Sequence, residues 1–164
     1  MFLGSPLTDL ATFVLWGITC TAALWDLAKR RIPNVLVGPG MLVGLILSFA
    51  SSGLAGLGNA ALGTIVPFVL LAPIWRMDPR LIRAGDIKLY MCIGAFLGWK
   101  GVLLVILYGH LFKGLAALVQ LGWFQVEKRR AADGAVLVAP THTPAALPIF
   151  AGTLLHTTLP HLLL

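Results

Sequence analysis

Ten of the twelve lysines and arginines fall in short clusters that separate every second apolar run, and this alternation constrains the chain more than any other feature. The clusters are Lys29-Arg30-Arg31, then Arg76, Arg80, Arg83 and Lys88, then Lys128-Arg129-Arg130. The apolar runs cover residues 7–25, 35–50, 60–75, 87–99, 101–123 and 145–164. A helix rises about 1.5 Å per residue, so runs of roughly this length cross a hydrocarbon core of about 30 Å. Six crossings place all ten cations on one face, the positive-inside pattern, with both termini on the other. Reading residues 89–112 as one crossing through Lys100 would strand the last cluster on the wrong face. The expected fold is therefore all-α, a polytopic membrane bundle of about six transmembrane helices, in one domain over residues 1–164. Composition agrees: 59% hydrophobic, 11% charged and a mean hydropathy of +0.93 are far from a soluble domain of this length.

The net charge of +6 does not point to nucleic acid, because the cations sit between apolar runs and form no recognisable nucleic-acid motif. Orientation and contact with anionic membrane lipid explain them more simply. Cys20 and Cys92 both lie inside apolar runs without the paired spacing of a zinc site or a disulfide framework, so packing is their expected role. No Lys or Arg precedes Lys29, so the first run lacks the basic start of a cleaved signal and reads as a retained span. Residues 51–59, uncharged and rich in glycine, read as a short loop, and residues 131–144 as a polar connection before the last span.

The chain has six acids, Asp9, Asp26, Asp78, Asp86, Glu127 and Asp133. Asp26 closes the first apolar run and Asp86 opens the fourth, so the topology brings both to the same face although sixty residues separate them. A carboxylate at the edge of a bilayer is costly unless it pairs, meets water or does chemistry, which makes these two the functional candidates. Depth alone does not make them neighbours.

The flanking residues add a resemblance. Asp26 is followed six residues later by Ile32-Pro33-Asn34, and Arg83-Ala84-Gly85-Asp86-Ile87-Lys88-Leu89 carries a Gly-Asp-hydrophobic-Lys-Leu pattern. Together, with the softer match of residues 143–152 to a proline-containing last span, they resemble the type IV prepilin peptidases, most closely the short form that serves Flp-type pili. The resemblance implies that Asp26 and Asp86 form the catalytic pair of an aspartic endopeptidase. It implies prepilins or pseudopilins as substrates, cut just before their hydrophobic stem at the cytoplasmic face of the bacterial inner membrane. Two carboxylates sharing a site cannot both ionise cheaply, so one serves as acid while the other activates a water. Longer relatives carry Cys-x-x-Cys pairs and also methylate the new N-terminus; this chain has no such pairs, so proteolysis without methyl transfer is expected, with no cofactor. Arg83 departs from the family's usual Gly-x-Gly-Asp; a cation three residues before the acid either lowers its pKa or crowds the place where substrate lies, and Arg83→Gly is expected to be tolerated.

Nearby residues admit two readings each. Gly85 lets substrate backbone approach, or merely opens a helix. Asn34 bonds near Asp26, or caps the second helix. Lys88 reaches the headgroups or the pair, though two residues from Asp86 it does not share its helical face. His110, His142, His156 and His161 show no ligand spacing, so no metal is expected. Lys113 stands deep in the fifth run, where it either touches the active-site cavity or shows that the run is drawn wrongly. Rival readings are a small proton-coupled transporter using Asp26, Asp86 and Lys113 as a relay, and an inactive homologue that aids pilus assembly. A relay would place its acids at the midplane rather than at helix ends.

Overall fold

The structure, a computed structural model, describes residues 6–29, 31–79, 82–130 and 146–162. The connection expected over residues 131–144 lies outside them. Four helices account for nearly all of it: α1 (Pro6–Lys29), α2 (Asn34–Met77), α3 (Ala84–Arg130) and α4 (Ala146–Leu162). α2 and α3 are each broken once, at Ser52 and Gly53 in α2 and at Gly98 in α3, so the bundle consists of six helical segments.

Both breaks turn the chain back on itself. In an unbroken helix Tyr90 and His110 would stand about 30 Å apart, yet their rings stack at 6.0 Å between centroids. The backbone at Gly98 (φ 71°, ψ −178°) belongs to a region essentially reserved for glycine, and this residue makes the turn possible. Gly53 (φ 59°) serves α2 in the same way.

These turns differ from the sequence expectation in one respect. Residues 51–59 are not a loop, because helix continues through all of them except Ser52 and Gly53. Gly56 packs so closely under the Ser48 carbonyl that a Cβ there would strike it, which lets the reversal close within two residues. The α3 turn likewise falls at Gly98, so Lys100 belongs to the first turn of the following segment.

Small residues bring the segments together. A Cβ at Gly63 would strike the Gly94 carbonyl, and one at Gly44 would overlap the Phe96 ring. Such close backbone approach is how helices associate where lipid supplies no hydrophobic drive. The Ser48 hydroxyl donates to the Ala95 carbonyl at 3.0 Å, and the Trp16 indole N–H donates to the Thr157 hydroxyl at 2.9 Å, tying α1 to α4. The buried hydroxyls of Thr19 and Thr153 return to carbonyls of their own helices, those of Leu15 and Ile149. Among the described residues no buried side-chain nitrogen or oxygen lacks a hydrogen-bond partner.

Leu15, Leu89, Ile93, Val102 and Val105 form the fully buried core. Large apolar side chains elsewhere face outward: Phe13 is 65% exposed, Ile46 65% and Leu118 68%. So much outward apolar surface fits lipid and not water. Three helices, α1, α2 and α3, are long and apolar enough to cross a membrane, and the chain is an all-α membrane bundle. Lys29 lies over the Trp25 ring at 4.5 Å and Lys100 over Trp99 at 5.4 Å, at opposite ends of the bundle, where interfacial aromatic and basic residues belong.

Candidate active site

Pairings along the bundle decide which residues share an end. α4 runs antiparallel to α1, with Trp16 beside Thr157 and Asp26 beside Ala146. The first half of α2 runs parallel to the first half of α3, with Asn34 beside Lys88 and Gly44 beside Phe96. Asp26, Asn34, Asp86 and the start of α4 therefore gather at one end.

The two stretches singled out in the sequence meet there. Ile32 lies against Gly85, and Lys88 Nζ donates to Asn34 Oδ1 at 3.0 Å, so Ile32-Pro33-Asn34 packs against the first turn of α3. Asn34 does not cap α2; Pro33 holds that position, and its carbonyl accepts from the Leu36 and Val37 N–H groups. Lys88 and Asn34 are exposed and spend their polar atoms on each other.

Asp26 and Asp86 are the buried acids among the described residues, 3% and 4% exposed. Asp26 stands in the last turn of α1 and accepts a hydrogen bond of 3.2 Å from the backbone N–H of Ala146, the first residue of α4. That N–H has no partner within its own helix, so the carboxylate and the helix start satisfy each other. Asp86 is the third residue of α3 and reaches back to accept from the Arg83 N–H at 3.3 Å, while its own N–H donates to the Arg83 carbonyl at 3.0 Å. The carboxylate makes the acidic half of a capping box; the other half is absent, because the Arg83 side chain has no acceptor and the Asp86 N–H turns to the Arg83 carbonyl instead. Asp26 is near enough to act electrostatically on Asp86, and so are Lys113 and the Arg83 side chain.

A cleft of about 230 Å³, counting its open mouth, lies beside Asp86. Its walls are Ile82, Tyr90, Gly109, His110, Lys113 and Ile149, and its enclosed part has room for about one water molecule. Tyr90 and His110 stack across it, and the Tyr90 hydroxyl occupies the space that a side chain at Gly109 would need. His110 Nδ1 donates to the Ile106 carbonyl at 2.8 Å, which leaves Nε2 for other partners. Gly85 is only partly explained by packing, because a Cβ there would sit 3.5 Å from Ile32, an ordinary contact. Among the described residues no three His, Cys, Asp or Glu side chains gather as a metal ion would need.

One partner of the acids escaped the sequence reading, because the Ala146 N–H carries no residue-type signal. Of the two readings open for Lys113, a place at the active-site cavity or a wrongly drawn run, the structure favours the first and sets it on the Asp86 cleft.

Two buried acids thus stand at one end of a membrane bundle, where ionisable groups are costly to keep. The model of the type IV leader peptidase family matches residues 13–118, a stretch that contains Asp26, Asp86 and Lys113, and the chain belongs to that family. Similar proteins are the prepilin leader peptidase/N-methyltransferases of Myxococcus xanthus (29% identical over 113 residues, 66% of this chain and 33% of the relative) and Aeromonas hydrophila (27% over 118 residues, 67% and 40%). That of Aeromonas salmonicida is 28% identical over 107 residues, 62% of this chain and 36% of the relative. The matches thus span a third to two fifths of these relatives' length. No solved structure matches the chain.

Proposed function

We propose that this membrane protein is an aspartic endopeptidase that removes the leader peptide from prepilins or pseudopilins, of the Flp type, at the cytoplasmic face of the bacterial inner membrane. Asp26 and Asp86 share one proton. The ionised carboxylate takes a proton from a water, whose oxygen attacks the scissile carbonyl carbon. The protonated partner delivers its proton to the carbonyl oxygen. Collapse of the resulting diol breaks the C–N bond as a proton passes to the amine, yielding a leader carboxylate and a new N-terminus. Gly85 leaves substrate backbone free to pass beside Asp86, and Arg83 flanks that path.

One observation supports the reading above the others: two acids sixty residues apart in sequence are both buried at the same end of the bundle. The family membership and the prepilin-processing names of the relatives support it. The product is expected to be unmethylated, because the only two cysteines of the 164 residues, Cys20 and Cys92, stand separately on α1 and α3 and form no Cys-x-x-Cys pair.

The test is leader removal from a co-expressed Flp-type prepilin, read by gel shift and product mass, for the wild type, Asp26→Asn and Asp86→Asn. The reading requires cleavage by the wild type, none by either variant at equal abundance in the membrane, and a product without an added methyl group. Cleavage that survives either substitution ends the two-aspartate mechanism.

A further inference from the structure

Lys113 sits among Leu111, Phe112, Gly114 and Leu115, where a cation is costly unless something answers its charge. The turn at Gly98 explains its position. Twelve residues separate Asp86 from Gly98, a climb of about 18 Å, and fourteen separate Trp99 from Lys113, a descent of about 21 Å. Lys113 therefore comes back to the level of Asp86, and both line the same cleft. One turn nearer Gly98, the stacked rings of Tyr90 and His110 hold the two halves of α3 in this register.

We infer that Lys113 is a positioning residue for the reaction at Asp86: its ammonium holds the Asp86 carboxyl group in the cleft and offsets part of the negative charge that two neighbouring acids bring together. The inference rests on the peptidase reading above. Lys113, Asp26 and the Arg83 side chain all act electrostatically on Asp86, and of the three Lys113 alone lines the cleft beside it. The apolar walls of Ile82 and Ile149 keep that interaction poorly screened. Lys88, the lysine closest to Asp86 in sequence, is exposed and bonded to Asn34, so it does not fill this role.

The experiment compares purified wild type, Lys113→Met, Lys113→Arg, Asp86→Asn and the Asp86→Asn/Lys113→Met double variant in detergent, by prepilin cleavage kinetics and by thermal unfolding. Loss of a charge-assisted contact predicts a fall in kcat of about 10- to 100-fold in Lys113→Met with KM changed less than about twofold, and recovery of most of the rate in Lys113→Arg. An unchanged kcat, or a rise confined to KM, overturns the inference. Should Lys113→Met fail to accumulate, Lys113→Gln replaces it with the same expectations. Unfolding midpoints read the pairing without catalysis: non-additive shifts in the double variant support it, and additive shifts overturn it. A wild type that cleaves no prepilin while the midpoints remain non-additive would remove the peptidase reading and leave the Lys113–Asp86 pair standing.

Discussion

Substituting Gly98 by alanine tests the link between the α3 turn and the site. With φ 71° and ψ −178°, residue 98 occupies a conformation that costs a side-chain-bearing residue about 1–3 kcal/mol. A Cβ there would also collide with the Asn59 side chain, but Asn59 is exposed and can rotate away, so backbone strain dominates. Taking about 2 kcal/mol, and about 2–4 °C per kcal/mol for a chain of this size, the unfolding midpoint in detergent should fall by about 4–8 °C. Gly53→Ala is the control: its φ is also positive, nothing lies within 4 Å of a Cβ there, and its turn belongs to α2. Both variants are expected to lose stability. Gly98→Ala is expected to lose more cleavage, because only that turn carries Lys113 back to Asp86. Adding Asn59→Ala should restore only the steric share. A Gly98→Ala midpoint within about 1 °C of wild type would refute the turn, since the strain argument admits no such tolerance.

Three further substitutions separate packing from chemistry. Arg83→Gly keeps the backbone N–H that Asp86 accepts, so cleavage should stay within about threefold of wild type; a loss beyond tenfold would assign the guanidinium a part in the reaction. Gly85→Ala places a methyl group in ordinary contact with Ile32 and favours helix by about 0.5–1 kcal/mol, so the midpoint should hold or rise; lost cleavage at that midpoint would show that substrate needs the open space. Gly63→Ala drives a methyl group into the Gly94 carbonyl and the backbone of Gly98, which cannot rotate aside; overpacking of about 1–3 kcal/mol should lower the midpoint at least as far as Gly98→Ala, and an unchanged midpoint would refute the close approach of α2 and α3.

Apolar length and cation placement were enough to read a helical membrane bundle, because both follow directly from the cost of polar groups in hydrocarbon. The turns were harder. Residues 51–59 hold three glycines without charge, which composition reads as loop, yet Gly53 makes the reversal while Gly56 lets one helix crowd another. Glycine serves both purposes, and only the coordinates separate them. The α3 reversal was read at Lys100, between the runs 87–99 and 101–123, and falls two residues earlier at Gly98.

The acids were legible because each stands where charge is expensive, and their partners were not. Asn34 and Lys88 sit near Asp26 and Asp86 in sequence, and proximity made them candidates; in space they bind each other. The group that does bind Asp26 is a backbone N–H 120 residues away, and nearly every residue carries one, so no residue type could announce it. For Lys113 the sequence left two readings open, the active-site cavity or a misdrawn run, and counting residues decides between them. Counted along an unbroken helix it stands about 40 Å from Asp86, and counted through a reversal at Gly98 it returns to within about one turn of the same level. The charge in the middle of an apolar run was itself the evidence for that reversal, because an acid at matching depth was what could answer it.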